Sequence, residues 1–202
     1  MEPVIESESM PVGLLLLAHG ERVEVAGNDC GFRLAADLSS LRPADETRLG
    51  FISGTPTIAE ALNSFRATNV IVYPLLMSAG YFAQTGFARL RDAQATMVPE
   101  RVLKVLPLLG LDPALASIVA VRASDAAASL SVLPSDATLV LIAHGSNREP
   151  ASKIAAETLA ERLVALKTFA AVRVAFLEQC PSLGTALSPD TRPAVIVGLF
   201  AG

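Results

Sequence analysis

The chain carries two histidines, and both sit in the same tripeptide, Ala18-His19-Gly20 and Ala143-His144-Gly145. Their separation of 125 positions (144 − 19) also relates Phe51 to Phe176, Pro56 to Pro181, Ala61-Leu62 to Ala186-Leu187, and Val70-Ile71-Val72 to Val195-Ile196-Val197. A single ungapped offset running through three apolar stretches and the loops between them is the signature of a duplicated unit. Whatever this sequence folds into, it does so twice.

Each copy alternates short, continuously apolar runs with segments of helical spacing. In the first copy strands are expected at 12–18, 48–53, 70–73 and 102–106. Helices are expected over about 25–41, from Pro56 as an N1 proline, near 84–93, and over about 113–130 behind an Asp112 cap. In the second copy strands at 139–143, 172–177 and 195–199 alternate with helices over about 150–167 and from Pro181. Apolar strands separated by helices imply parallel sheets covered on both faces, so the expected fold is α/β, two tandem flavodoxin-like doubly wound lobes. The expected division is a flexible N-terminus at 1–10, a first lobe at 11–133 and a second at 134–202. The chain stops at Gly202, where the repeat partner 74–82 is only entering a loop, so the second lobe is read as incomplete, either because the chain is truncated or because this lobe is naturally smaller.

Composition narrows the function. The longest apolar runs fall well short of the roughly 18 to 20 residues a membrane helix needs, so no membrane association is expected. The opening MEPVIESESM lacks the basic start and apolar middle of a secretory signal, which suggests a cytoplasmic protein. Cys30 and Cys180 form no CxxC and no metal-ligand spacing. A formal net charge of −4 argues against a nucleic-acid partner.

In doubly wound sheets ligands gather at the carboxyl ends of strands. His19 and His144 stand there, each followed by a glycine, Gly20 or Gly145, that lets the backbone turn and approach a ligand. Neutral imidazole can accept a proton near pH 7 or bind a borderline divalent metal. After His144 come Ser146, Asn147 and Arg148, which can act as helix caps or as contacts for an anion. Glu178, one strand later, could take protons beside His144 or simply sit in solvent. Its repeat partner is Ser53 (178 − 125).

The strand-AHGS-helix opening, the strand-FLE-x-x-PSL segment at 176–183, the apolar strand leading to an AG turn, and the run 105–116 (VLPLLGLDPALA) together resemble the sirohydrochlorin chelatases of the CbiX type. These are class II, ATP-independent tetrapyrrole chelatases. The resemblance spans about 12–202 and implies two chelatase-like lobes. It implies insertion of Co2+ or Fe2+, with Ni2+ an option, into a sirohydrochlorin-type tetrapyrrole on the way to cobalamin or sirohaem. The metal is then substrate, and no nucleotide is required. His144, Glu178 and His19 become metal-facing or catalytic residues, and Gly145, Ser146, Asn147, Arg148, Gly20 and Gly80 substrate-facing ones. The family's second histidine, in a Gly-x-His setting after the third strand, is replaced here by Gly80-Tyr81-Phe82. Two alternatives stand beside chelation: a non-catalytic tetrapyrrole- or metal-binding protein, and a generic anion binder using the His144 loop. Monomer and homodimer are both compatible with an internal duplication.

Overall fold

A computed structural model describes residues 10–21, 28–97, 101–188 and 191–200. The expected N-terminal segment therefore lies almost wholly outside the described residues, as does the start of the first expected helix. Contacts divide the chain into two units. Among the described residues, one holds those up to Pro74 together with those of Thr85–Leu106; the other holds Leu75–Gln84 and those from Pro107 to 200.

The first unit is a four-stranded parallel sheet of order β2-β1-β3-β4, with β1 Val12–Ala18, β2 Glu46–Phe51, β3 Asn69–Pro74 and β4 Val102–Val105. Its helices are α1 Asp29–Leu41, α2 Ile58–Asn63 and the body of α3 Tyr81–Ala95. Small residues let the helices lie close: Gly86 of α3 meets Leu17 and Ile52, and Gly31 of α1 meets Leu49. Leu15, Leu16, Leu17, Val70 and Val72 form the buried centre.

The second unit is a three-stranded parallel sheet of order β6-β5-β7, with β5 Thr138–Ala143, β6 Ala171–Phe176 and β7 Ala194–Gly198. Helices α4 Ala114–Ser129 and α5 Ala151–Leu166 cover one face, and the five-residue α6 Leu183–Leu187 lies on the other. The expected boundary at 133/134 does not coincide with this division. Helix α4, read from sequence as the close of the first lobe, packs in the second unit, where Ala116, Ala120 and Ala123 bring it against the Ala156–Leu163 side of α5.

Two further expectations are corrected. Pro56 and Pro181 do not occupy N1; each precedes the cap and accepts the N–H of Phe51 or Phe176 on its carbonyl. Thr57 then caps α2 in a reciprocal capping box with Glu60, and Ser182 caps α6 by accepting from Thr185 N.

The ungapped repeat also breaks at its third strand. Strands β1 and β2 pair as Gly13↔Glu46, and β5 and β6 as Thr138↔Ala171, equivalent under the 125 offset. Strands β1 and β3, however, pair as Leu14↔Ile71, whereas β5 and β7 pair as Leu139↔Val195. The slip is one residue, and a one-residue slip exchanges the faces of a strand. Val195 and Val197 therefore turn toward α4 and α5, while Ile196 faces the other way and is left 47 % exposed. Apolar cover decides the register: the described residues provide two long helices on one face and one short helix on the other, so the two valines take the covered side.

Candidate functional site

Strands β1 and β5 are the central strands whose neighbours lie on opposite sides in chain order, which makes their carboxyl ends the switch points of the two sheets. His19 and His144 each follow one of them directly. In both copies the histidine carbonyl accepts the backbone N–H of the residue two past the second strand, Ser53 at 2.7 Å and Glu178 at 3.0 Å. The turn that makes this possible needs positive φ, +72° at Gly20 and +76° at Gly145. That conformation disfavours any residue with a Cβ.

Around His144 the loop is tied by side chains. Gly145 N donates to Ser152 Oγ at 3.2 Å, and Ser146 N donates to Gln179 Oε1 at 2.9 Å. Ser146 Oγ accepts from the N–H groups of Arg148 and Glu149 at 3.1 and 3.2 Å, and Asn147 Nδ2 donates to the Glu178 carbonyl at 2.8 Å. Asn147 thus fixes the backbone of Glu178, and Glu178 Oε1 lies 3.7 Å from His144 Nε2. Both side chains are more than half exposed, 65 % and 59 %, so the pair adds little to stability, about 0–1 kcal/mol. Its interest is chemical: an imidazole and a carboxylate are held side by side in reach of a ligand.

Sequence reasoning assigned Ser146 and Asn147 either to capping or to an anion. Their hydrogen bonds serve the loop itself, and α5 begins only at Ala151. Arg148 stays exposed. Gly80 lies in the same unit, where a Cβ would stand 3.1 Å from the Glu149 carboxylate. Gln179 and Ser152 were not singled out from sequence, although Gln179 sits directly beside Glu178.

The His19 loop is built differently. Glu21 N donates to Asn28 Oδ1 at 2.9 Å, and Asn28 Nδ2 donates back to the Glu21 carbonyl at 3.1 Å, with Asn28 itself buried. Ser53 and Gly54 stand where the other copy has Glu178 and Gln179. Burial pushes the His19 imidazole below its ordinary pKa of 6.5, and the nearby Glu21 charge partly opposes that shift. Near neutral pH, His19 is therefore biased toward the uncharged form. A cavity of about 390 Å³ next to this loop is lined by Glu21, Asn28, Gly54, Thr55, Thr57 and Arg89 among others. Arg89 donates from its guanidinium to the Ile52 carbonyl.

Among the described residues, no three or more His, Cys, Asp or Glu side chains cluster as a metal cage. His144 and Glu178 together offer two donors. No described helix is long and apolar enough to cross a membrane.

Against known proteins, the CbiX family model matches residues 13–126. A probable sirohydrochlorin cobaltochelatase of Halobacterium salinarum is 23 % identical over 207 residues, 93 % of this chain and 70 % of the relative. Among solved structures, a multi-domain protein of Deinococcus radiodurans with structural similarity to chelatases superposes with a TM-score of 0.78 at 24 % identity. It is matched over 94 % of this chain, which spans only 44 % of that larger protein. A structure of CbiX, the terminal enzyme for siroheme biosynthesis in denitrifying bacteria, gives a TM-score of 0.70 at 25 % identity, covering 94 % of this chain and 80 % of its own.

Proposed function

The chain belongs to the CbiX family, and from that premise we propose that it inserts a divalent metal into sirohydrochlorin, with the chemistry at His144 and Glu178 of the second unit. The observation that carries this reading is the 3.7 Å pair of exposed imidazole and carboxylate at the carboxyl end of β5. Insertion replaces two pyrrole protons with one dication, so the site must attract a cation and accept protons. A carboxylate does both, and a neutral imidazole can hold the ion or take a proton. His144 and Glu178 share these tasks, while Asn147 and the Gly145 turn hold them in place. His19 lies in a loop without a carboxylate at the Glu178 position, and we assign it a secondary, substrate-facing role.

Cobalt and ferrous iron both remain substrates under this reading. The curated relative is named for cobalt and the solved CbiX for siroheme biosynthesis, and imidazole with carboxylate suits either ion.

The test is anaerobic insertion into sirohydrochlorin, followed by absorbance with Co2+ and with Fe2+. The reading requires a rate above the uncatalysed one with at least one of the ions. A second reading is a protein that binds tetrapyrrole or metal without turning it over, and the same assay separates the two. Tight binding of sirohydrochlorin with no acceleration by either ion would establish that alternative.

A further inference from the structure

We infer that Tyr81 and Phe82 form an aromatic platform for the conjugated macrocycle, one ring face to face with it and the other edge-on, and that Glu149 is the positioning residue that ties this platform to the His144 loop. This inference rests on the proposed tetrapyrrole substrate.

Tyr81 and Phe82 are consecutive aromatics at the start of α3, assigned by contacts to the second unit. Their rings meet edge to face, with centroids 5.5 Å apart and planes at 72°. Both remain open to solvent, Tyr81 at 67 % and Phe82 at 49 %. Large exposed apolar surface is costly to keep wet, and with their planes at 72° one ring can lie face to face with a flat π-system while the other meets it edge-on.

Their placement is fixed by a chain of contacts from the catalytic loop. Ser146 Oγ accepts from Glu149 N at 3.2 Å, and the Glu149 carboxylate accepts from Tyr81 N at 3.1 Å. Gly80 makes room, because a Cβ there would press on that carboxylate. The loop carrying His144 and the backbone carrying the two rings are therefore joined through one side chain. Imidazole and carboxylate address the metal and the pyrrole protons; the rings address the face of the macrocycle.

The experiment titrates the whole chain with metal-free sirohydrochlorin, following the tetrapyrrole absorbance and the protein's tyrosine fluorescence. That emission has no tryptophan background, since the chain contains none and only two tyrosines. Co2+ binding is measured separately by calorimetry. Phe82→Leu keeps an apolar side chain and removes the ring, Tyr81→Phe keeps the ring, and Tyr81→Ala/Phe82→Ala removes both. Affinity for sirohydrochlorin is expected to fall about tenfold or more in the double variant, several-fold in Phe82→Leu, and hardly at all in Tyr81→Phe, with Co2+ affinity unchanged throughout. Glu149→Ala is expected to weaken sirohydrochlorin and spare Co2+. Unchanged sirohydrochlorin affinity in a double variant whose circular dichroism matches the parent overturns the platform alone. A parent chain that binds no sirohydrochlorin overturns the proposed function and the platform with it.

Discussion

The loops at His19 and His144 begin from one tripeptide and end as different instruments. Each crosses the end of a central strand through a positive-φ glycine, and each hands its histidine carbonyl to the second strand's exit. Beyond that shared frame they diverge in how the next backbone N–H is satisfied. In the first copy the buried Asn28 side chain closes a reciprocal pair with Glu21. In the second, Gln179 holds Ser146, which leaves its neighbour Glu178 exposed beside the imidazole. The two loops share the turn and differ in their surroundings: one histidine is half-buried and biased toward neutrality, the other is open and lies beside a carboxylate.

Six substitutions should sharpen that contrast. The largest effect is expected on catalysis. Glu178→Gln keeps size and polarity but abolishes proton acceptance, and should slow metal insertion at least about 100-fold. Insertion kinetics at saturating sirohydrochlorin measure it, and a variant within a few-fold of the parent would remove Glu178 from the chemistry.

Next comes the pair of turn glycines. A Cβ at Gly20 would meet the Ser53 carbonyl at 2.5 Å, a backbone atom, whereas at Gly145 the nearest atom is the Gln179 Cγ at 2.8 Å, on a side chain that can move. Positive φ alone costs an alanine about 1–2 kcal/mol at either site, and the rigid clash adds to it at the first. Urea unfolding should therefore place Gly20→Ala below Gly145→Ala in stability; the opposite order would mean that the two turns are not held as described.

Asn28→Ala should cost about 1–3 kcal/mol, since it strands the N–H and carbonyl of Glu21. Gln179→Ala, at a more exposed position, should cost less than about 1 kcal/mol in stability while lowering the insertion rate by loosening the His144 loop. Equal stability losses from the two would erase the distinction between a buried clamp and an adjustable one.

The smallest effect is a pH dependence. The folded pKa of His19 lies below its unfolded value of 6.5, so between the two the unfolded chain binds more protons. Stability from this group is complete above pH 6.5 and is lost as pH falls from there through the folded pKa. His19→Gln should flatten that segment of a plot of thermal midpoint against pH, and an unaltered slope would show that burial does not act on this imidazole.

Much of this molecule could be read before any coordinates. The parallel pairing followed from short, continuously apolar runs alternating with segments of helical spacing, and its recurrence from the 125-residue offset. Both histidines fell at strand ends as that pattern requires. What escaped was decided by tertiary cover. Val195-Ile196-Val197 matches Val70-Ile71-Val72 letter for letter, yet its register slips because α4 supplies an apolar face that the short α6 does not. The same helix packs in the second unit although its place in the chain suggested the first, since an alanine stripe shows that a close partner exists but not which unit holds it. Pro56 and Pro181 suggested helix starts because proline suits N1; the true caps, Thr57 and Ser182, were one residue further on and carried their own signals. Gln179 and Asn28 act by satisfying single backbone groups, and no periodicity or spacing announces such a role.

We propose that the second loop, not the first, carries the chemistry. Anaerobic Co2+ insertion into sirohydrochlorin, run side by side for the parent chain, His144→Ala and His19→Ala, tests it most directly. His144→Ala is expected to fall to the uncatalysed rate while His19→Ala retains most of the parent's activity. Loss of activity in His19→Ala with His144→Ala still active would contradict it and move the reaction to the first unit.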